Sequence, residues 1–285
     1  MDVKLRPGTI DDAGECGRIC YQAFASIAGE HHFPPDFPAP EIAVGMLSTL
    51  LAHPGFYAVV AEIDGVMVGS NFLDERSPVV GVGPITVDPA IQNRGVGRSL
   101  MQDVLRRAAE RGAPGIRLLQ DAYHNRSLSL YARLGFQVRD LVGCMQGTPP
   151  HGEIPGYPTR RASMEDVEAC TSVCLRVHGH HRAGELTDAI AQGAALVVEH
   201  DGRITGYATG LGLFAHAVGE SNEDLKALIM SADAFGGPGI LVPTTNGPLF
   251  QWCLEQELRV VKSMTLMSVG LYSQPQGAFL PSVLY

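Results

Sequence analysis

The clearest hydrophobic pattern runs from Ile85 to Gly112. Ile85, Thr86 and Val87 are strand formers, and Pro89 stops them because it has no N–H for a sheet ladder. A polar, glycine-bearing stretch follows. Then Leu100, Met101, Val104, Leu105 and Ala108 recur at a spacing that lines one face of a helix, which Gly112 closes. Beyond it, GIRLLQDAY predicts another strand and SLSLYARLGF a second amphipathic helix.

Two further patterns occur twice. Arg6, Thr9, Asp12, Cys16 and Cys20 match Arg160, Ser163, Asp166, Cys170 and Cys174 at identical spacing. Each set reads as a strand end, a capped start and an amphipathic helix. VVAEIDGVMVG and LVVEHDGRITG both read as strand, Asp-Gly turn, strand: a hairpin. NRSLSLYARLGF also lines up with NGPLFQWCLEQE, pairing Asn125 with Asn246 and Tyr131 with Trp252. Three blocks in the same order predict one fold used twice.

Length and composition agree. The chain has 285 residues, enough for two domains, and its 45% hydrophobic and 18% charged residues suit a packed core in each. The Pro- and Gly-rich stretch QGTPPHGEIPGYP divides the chain, giving domains at 1–145 and 159–285 joined by a linker at 146–158. Alternating strands and helices make the fold class α/β. A net charge of −9 argues against a nucleic-acid partner. Without an apolar signal region or a run long enough to span a membrane, the expectation is a cytoplasmic protein with no membrane partner. The six cysteines lack C-x-x-C spacing and read as buried packing residues.

The glycine-bearing stretch carries chemistry. Gln92, Asn93, Arg94, Gly95, Val96, Gly97 and Arg98 lie between a strand and a helix, an order that points backbone N–H groups and a helix's positive end at an anion. Gly95 and Gly97 let the backbone approach closely, and Arg94 and Arg98 add positive charge. This stretch resembles the Q/R-x-x-G-x-G/A signature of the GNAT family of acetyl-coenzyme A-dependent N-acetyltransferases. Asn125, Tyr131 and the Gly135-Phe136 pair follow at the family's distances. The resemblance implies two tandem GNAT-like domains, each a mixed, splayed sheet flanked by helices.

It also implies a mechanism. Acetyl-coenzyme A would be the co-substrate, with Ile85, Thr86 and Val87 bonding its pantetheine, Gln92 to Arg98 its diphosphate, and Asn125 beside them. A small-molecule or peptide amine would be the acceptor, and Tyr131 the acid that protonates the departing thiolate; its alternative is a packing role. The base is open among Glu75 (first), Asp74, and then His31 and His32. HHFPPDFPAPE either covers something in the first half or is an ordinary surface loop. The rival function is a non-catalytic acyl-coenzyme A sensor, and a homodimer stays open.

The second half departs from the signature. Trp252 aligns with Tyr131, and Glu220, Glu223 and Asp224 stand where the glycine loop belongs, so this copy reads as degenerate. His178, His180 and His181 lack a recognised metal spacing, and no metal is expected. Gly236 to Gly239 read as a turn into the strand Ile240 to Val242. The apolar end, Ala278 to Tyr285, reads as a docked last strand; the sharper alternative sets the Tyr285 α-carboxylate in the acceptor cleft as the base.

Overall fold

The structure, a computed structural model, describes residues 2–284. The first half runs β1 (Lys4–Pro7), α1 (Ala13–Glu30), α2 (Pro40–Ala52), β2 (Phe56–Ile63), β3 (Val66–Asp74), β4 (Val80–Val82), β5 (Thr86–Val87), α3 (Val96–Glu110), β6 (Gly115–Asp121), α4 (Asn125–Arg133) and β7 (Gln137–Gln146). The second half runs β8 (Thr159–Arg161), α5 (Val167–His178), α6 (Ala183–Ala191), β9 (Leu196–His200), β10 (Arg203–Ala208), β11 (Ala217–Gly219), α7 (Asn222–Met230), β12 (Ile240–Pro243), α8 (Gly247–Glu255), β13 (Arg259–Gly270) and β14 (Ala278–Leu280). Among the described residues, no helix is long and apolar enough to cross a membrane.

The repeat is visible atom by atom. Ahead of α1, the backbone N–H of Thr9 donates to Asp12 at 2.7 Å, and Arg6 grips both Asp12 oxygens at 2.8 Å. Ahead of α5, Ser163, Asp166 and Arg160 repeat those distances. Both hairpins turn on residues in the left-handed region, Asp64 and Gly65 at φ 51° and 78° and Asp201 and Gly202 at 51° and 73°. Two consecutive positive φ values match the twist of a tight hairpin, and Asp-Gly supplies them at least cost.

The halves are joined by exchanged strands. The large sheet has the order β1-β2-β3-β4-β6-β13-β7-β12, with β5 also on β3, and the smaller one has the order β14-β11-β10-β9-β8. Strands β7 and β13 close their respective repeats, yet β13 lies between β6 and β7, and β7 continues to β12. Hydrogen bonding thus joins strands from either side of the 146–158 stretch. Each repeat leaves a strand edge that needs a partner, and a strand of the other repeat satisfies it, β13 on β6 and β7 on β12. Leu119, Val142, Cys144, Leu241, Met264 and Leu266 form an apolar core across the seam. All six cysteines are buried and unbridged.

Candidate active site

Strands β4 and β6 run parallel, pairing at Val80–Ile116 and Gly81–Arg117. The chain then bends away through Gly83, Pro84 and Ile85 and resumes as β5, which pairs with Gly69 and Ser70 of β3. The sheet therefore opens. Residues 82–87 on one side and 118–121 on the other bound a cavity of about 420 Å³.

One end of the cavity lies at the start of α3. Gly95, Val96, Gly97 and Arg98, the first turn of α3, line it together with Gln92 and Asn93. Gly95 caps the helix with φ 88°, a conformation that costs glycine least. The first-turn N–H groups of a helix have no partners within it, so they are donors for an anion. Ile85, Thr86 and Val87 line the cavity beside them, with β5 bonded to β3 on its other edge. These residues fit the diphosphate and pantetheine of coenzyme A. Arg94 is exposed on the loop and outside the lining. Asn125 is also exposed and outside it; the preceding His124 takes that place, lining the cavity and capping α4 by accepting from the Ser127 N–H at 3.0 Å. Sequence reasoning missed Arg126 and Arg133, which bring further positive charge to the lining. The signal was helical spacing, since Arg126, Ser127, Leu130 and Tyr131 share one face of α4.

Tyr131 lines the same cavity and is only 5% exposed. Burial pushes its phenol up to about 12, opposed by a hydrogen bond with Ser127. Glu75, the first candidate base, is not at the cavity. It is held by Arg107 at 2.8 Å and Arg111 at 3.2 Å, about 16 Å along α3 from the helix start. Topology explains this, because β3 is antiparallel to β5 and its C-terminal end lies away from Val87. Asp74 leaves with it, bound to Arg76 at 2.6 Å. His31 and His32 are exposed and outside the lining.

The far end of the cavity has a different chemistry. HHFPPDFPAPE does cover the first half: Phe33 stacks on Tyr123 at 4.3 Å, Phe37 packs edge-on against Phe24 at 5.7 Å, and Asp36 and Phe37 line the cavity. Lys262, delivered by β13, donates to Asp36 and forms an ion pair with Asp121 at 2.7 Å. Tyr123 donates to the other Asp121 oxygen at 3.2 Å. Burial raises the Asp36 carboxyl above its usual range even against the Lys262 charge. Leu213, Phe214, Met264, Val283 and Leu284 of the second half complete this end. The Tyr285 carboxylate lies outside the described residues. The strand before it behaves as expected, with β14 pairing to β11.

In the second repeat the corresponding gap is filled by a strand. β14 lies on β11 where the gap would open, and its Ala278 and Leu280 pack with Ile240 and Val242 of β12. The start of α7 is self-sufficient, since Asp224 accepts from the Ser221 N–H and hydroxyl, each at 2.8 Å. The helix caps also correct one alignment. His124 caps α4 and Asn246 caps α8 through the same contact three residues on, so Tyr131 corresponds to Cys253, not to Trp252. The Phe136 and Leu258 N–H groups confirm that register by donating to the Tyr131 and Cys253 carbonyls. Cys253 is packed in the apolar core of the second half, outside the cavity, and burial pushes its thiol up to about 12. His178, His180 and His216 are buried with rings near one another, and no group among the described residues could hold a metal ion.

Residues 21–136 match the Acetyltransferase (GNAT) family. A mycothiol acetyltransferase from Thermomonospora curvata is 33% identical over 93 residues, 32% of this chain and 31% of that protein. The matched stretches cover less than half of each such curated relative. A protein from Pyrococcus horikoshii described as an acetyltransferase superimposes with a TM-score of 0.74, over 96% of this chain and 91% of its own, at 17% identity. A tandem GNAT protein from the clavulanic acid biosynthesis pathway superimposes with a TM-score of 0.56, over 94% and 98%, at 14% identity. At such identities these structures share the fold.

Proposed function

We propose, from the premise that residues 21–136 form a domain of the GNAT acetyltransferase family, that this chain moves an acetyl group from acetyl-coenzyme A to an amine. One observation carries it: a single cavity joins the glycine-capped start of α3, the Tyr131 phenol and a buried polar cluster. The thioester supplies an activated acyl carbon and a thiolate leaving group. Gln92 to Arg98 hold the diphosphate through backbone N–H groups, with Arg98, Arg126 and Arg133 balancing its charge. Ile85 to Val87 align the pantetheine along the inner edge of β5. Tyr131 donates its proton to the sulfur as the C–S bond breaks. A phenol on the cavity wall favours turnover over a binding-only sensor, which has no use for an acid there.

The test is calorimetry and coenzyme release on the full chain. Acetyl-coenzyme A should bind at one site per chain, and a library of primary amines should include acceptors that release coenzyme A. Saturable binding without release across the whole library would replace the transferase with the sensor.

A further inference from the structure

The polar cluster beyond Tyr131 has a charge count and a geometry. With both carboxylates ionised and the ammonium protonated, Asp36, Asp121 and Lys262 carry one excess negative charge inside the cavity. The Asp36 side chain is 8% exposed, and its Oδ2 has no hydrogen-bond partner among the described residues. Gln120 is 6% exposed and lines the same cavity, and neither its amide oxygen nor its amide nitrogen has such a partner. Buried polar atoms are nearly always paired in folded proteins, so exceptions inside a cavity mark where a ligand bonds. Around them the walls are apolar: Phe24, Phe37, Met46, Phe214, Met264 and Leu284.

We infer that the acceptor is a monocation, a single primary amine on an alkyl or arylalkyl body, whose nitrogen binds at Asp36, which is also its proton acceptor. This acceptor class rests on the transferase function proposed above. One ammonium cancels the excess charge and supplies a donor to Asp36 Oδ2. A second cation or several hydroxyls would meet apolar walls without partners and lose hydration for nothing. Lys262 is a positioning residue. It holds Asp36, on a loop, against Asp121, at a strand end, and its charge opposes the repulsion between the two carboxylates. In the reaction the ammonium gives one proton to Asp36, the C–N bond forms and the C–S bond breaks. The sulfur takes the Tyr131 proton. The second proton of the amine nitrogen restores Tyr131 through solvent, and Asp36 releases the first, leaving amide, thiol and one proton. The second half of the chain supplies Lys262, Met264, Phe214 and Leu284, so it sets acceptor choice without binding coenzyme.

Calorimetry and product assays on the full chain decide this, with 2-phenylethylamine and hexylamine against spermidine and glucosamine, all in the presence of coenzyme A. The first two should bind about tenfold or more tightly than the others and be acetylated when acetyl-coenzyme A is supplied. Asp36→Asn should weaken amine binding and lower kcat by about 10²–10⁴-fold while coenzyme A affinity, which also reports folding, stays unchanged. Lys262→Met should raise KM for the amine, and Lys262→Arg should recover most of it. Preference for spermidine or glucosamine overturns the acceptor class, and wild-type amine binding and turnover in Asp36→Asn overturn the role of Asp36. Coenzyme A release with other amines but not these two sinks this inference alone, whereas absent coenzyme binding sinks the transferase itself.

Discussion

Burial makes a phenol a weaker acid by disfavouring phenolate, and for Tyr131 it raises the value to about 12. The acid form is therefore complete at neutral pH, and its loss moves to strongly alkaline solution. Turnover should show no descending limb from Tyr131 below about pH 11. A limb near the free-phenol value of about 10 would mean that the phenol is solvated during turnover. Tyr131→Phe removes the proton but keeps the ring, so kcat should fall about 10²–10⁴-fold with coenzyme affinity retained. Wild-type turnover in that variant, with chemistry rate-limiting, would remove Tyr131 from the mechanism. Gly95 is the other single-residue test. Its φ of 88° costs a side-chain-bearing residue about 1–2 kcal/mol, and more for a β-branched one. Gly95→Val should raise the coenzyme dissociation constant about tenfold or more, and unchanged calorimetric affinity would reject the loop as the diphosphate site.

At the scale of elements, the two repeated helix starts link structure to acid stability. Hydrogen bonds from Arg6 hold Asp12 down at about 2, and Arg160 shifts Asp166 in the same direction. A carboxylate depressed in the folded state adds stability that is complete above its unfolded value of about 3.9 and disappears as pH falls through the folded value. Urea midpoints should thus hold steady from these groups above about pH 5 and decline from about pH 4 to pH 2. Asp12→Ala should cost about 0.5–2 kcal/mol at pH 7 and flatten that decline. The docked end of the chain offers a second test. A Cβ on Gly81 would stand 1.8 Å from the Leu284 carbonyl oxygen, so Gly81→Ala must displace the segment that closes the acceptor end. Acceptor KM should rise while coenzyme affinity persists; equal loss of both would point to a disrupted sheet.

Across the whole molecule, the exchanged strands make the halves interdependent. β13 contributes the partner of β6 along Gly115 to Asp121, and without it both that edge and the apolar seam face water. Residues 1–146 produced alone should aggregate or remain unfolded, and co-production with 159–285 should restore coenzyme binding. A soluble isolated first half with full coenzyme affinity would show that the exchange is dispensable. Intact chain should unfold in one cooperative transition, because neither half owns a complete large sheet.

The sequence by itself determined what depends on near neighbours. The Asp-Gly hairpins, the Thr9 and Ser163 helix starts, the buried face of α3 and the glycine loop are each settled by residues within a few positions, through φ preference, capping and periodicity. Tertiary structure decided whatever depends on distant partners. Glu75 stood beside a strand of the site in the sequence, but antiparallel pairing carried it to the wrong end. Asp36 and Lys262 bond although they lie 226 residues apart, and neither has a local signature. The β13 pattern predicts a strand but not its neighbour, because ladder hydrogen bonds are made by backbone groups common to every residue. Which strand adjoins which is set by burying the whole apolar surface at once. That packing brought Lys262 into the cavity that the glycine loop borders.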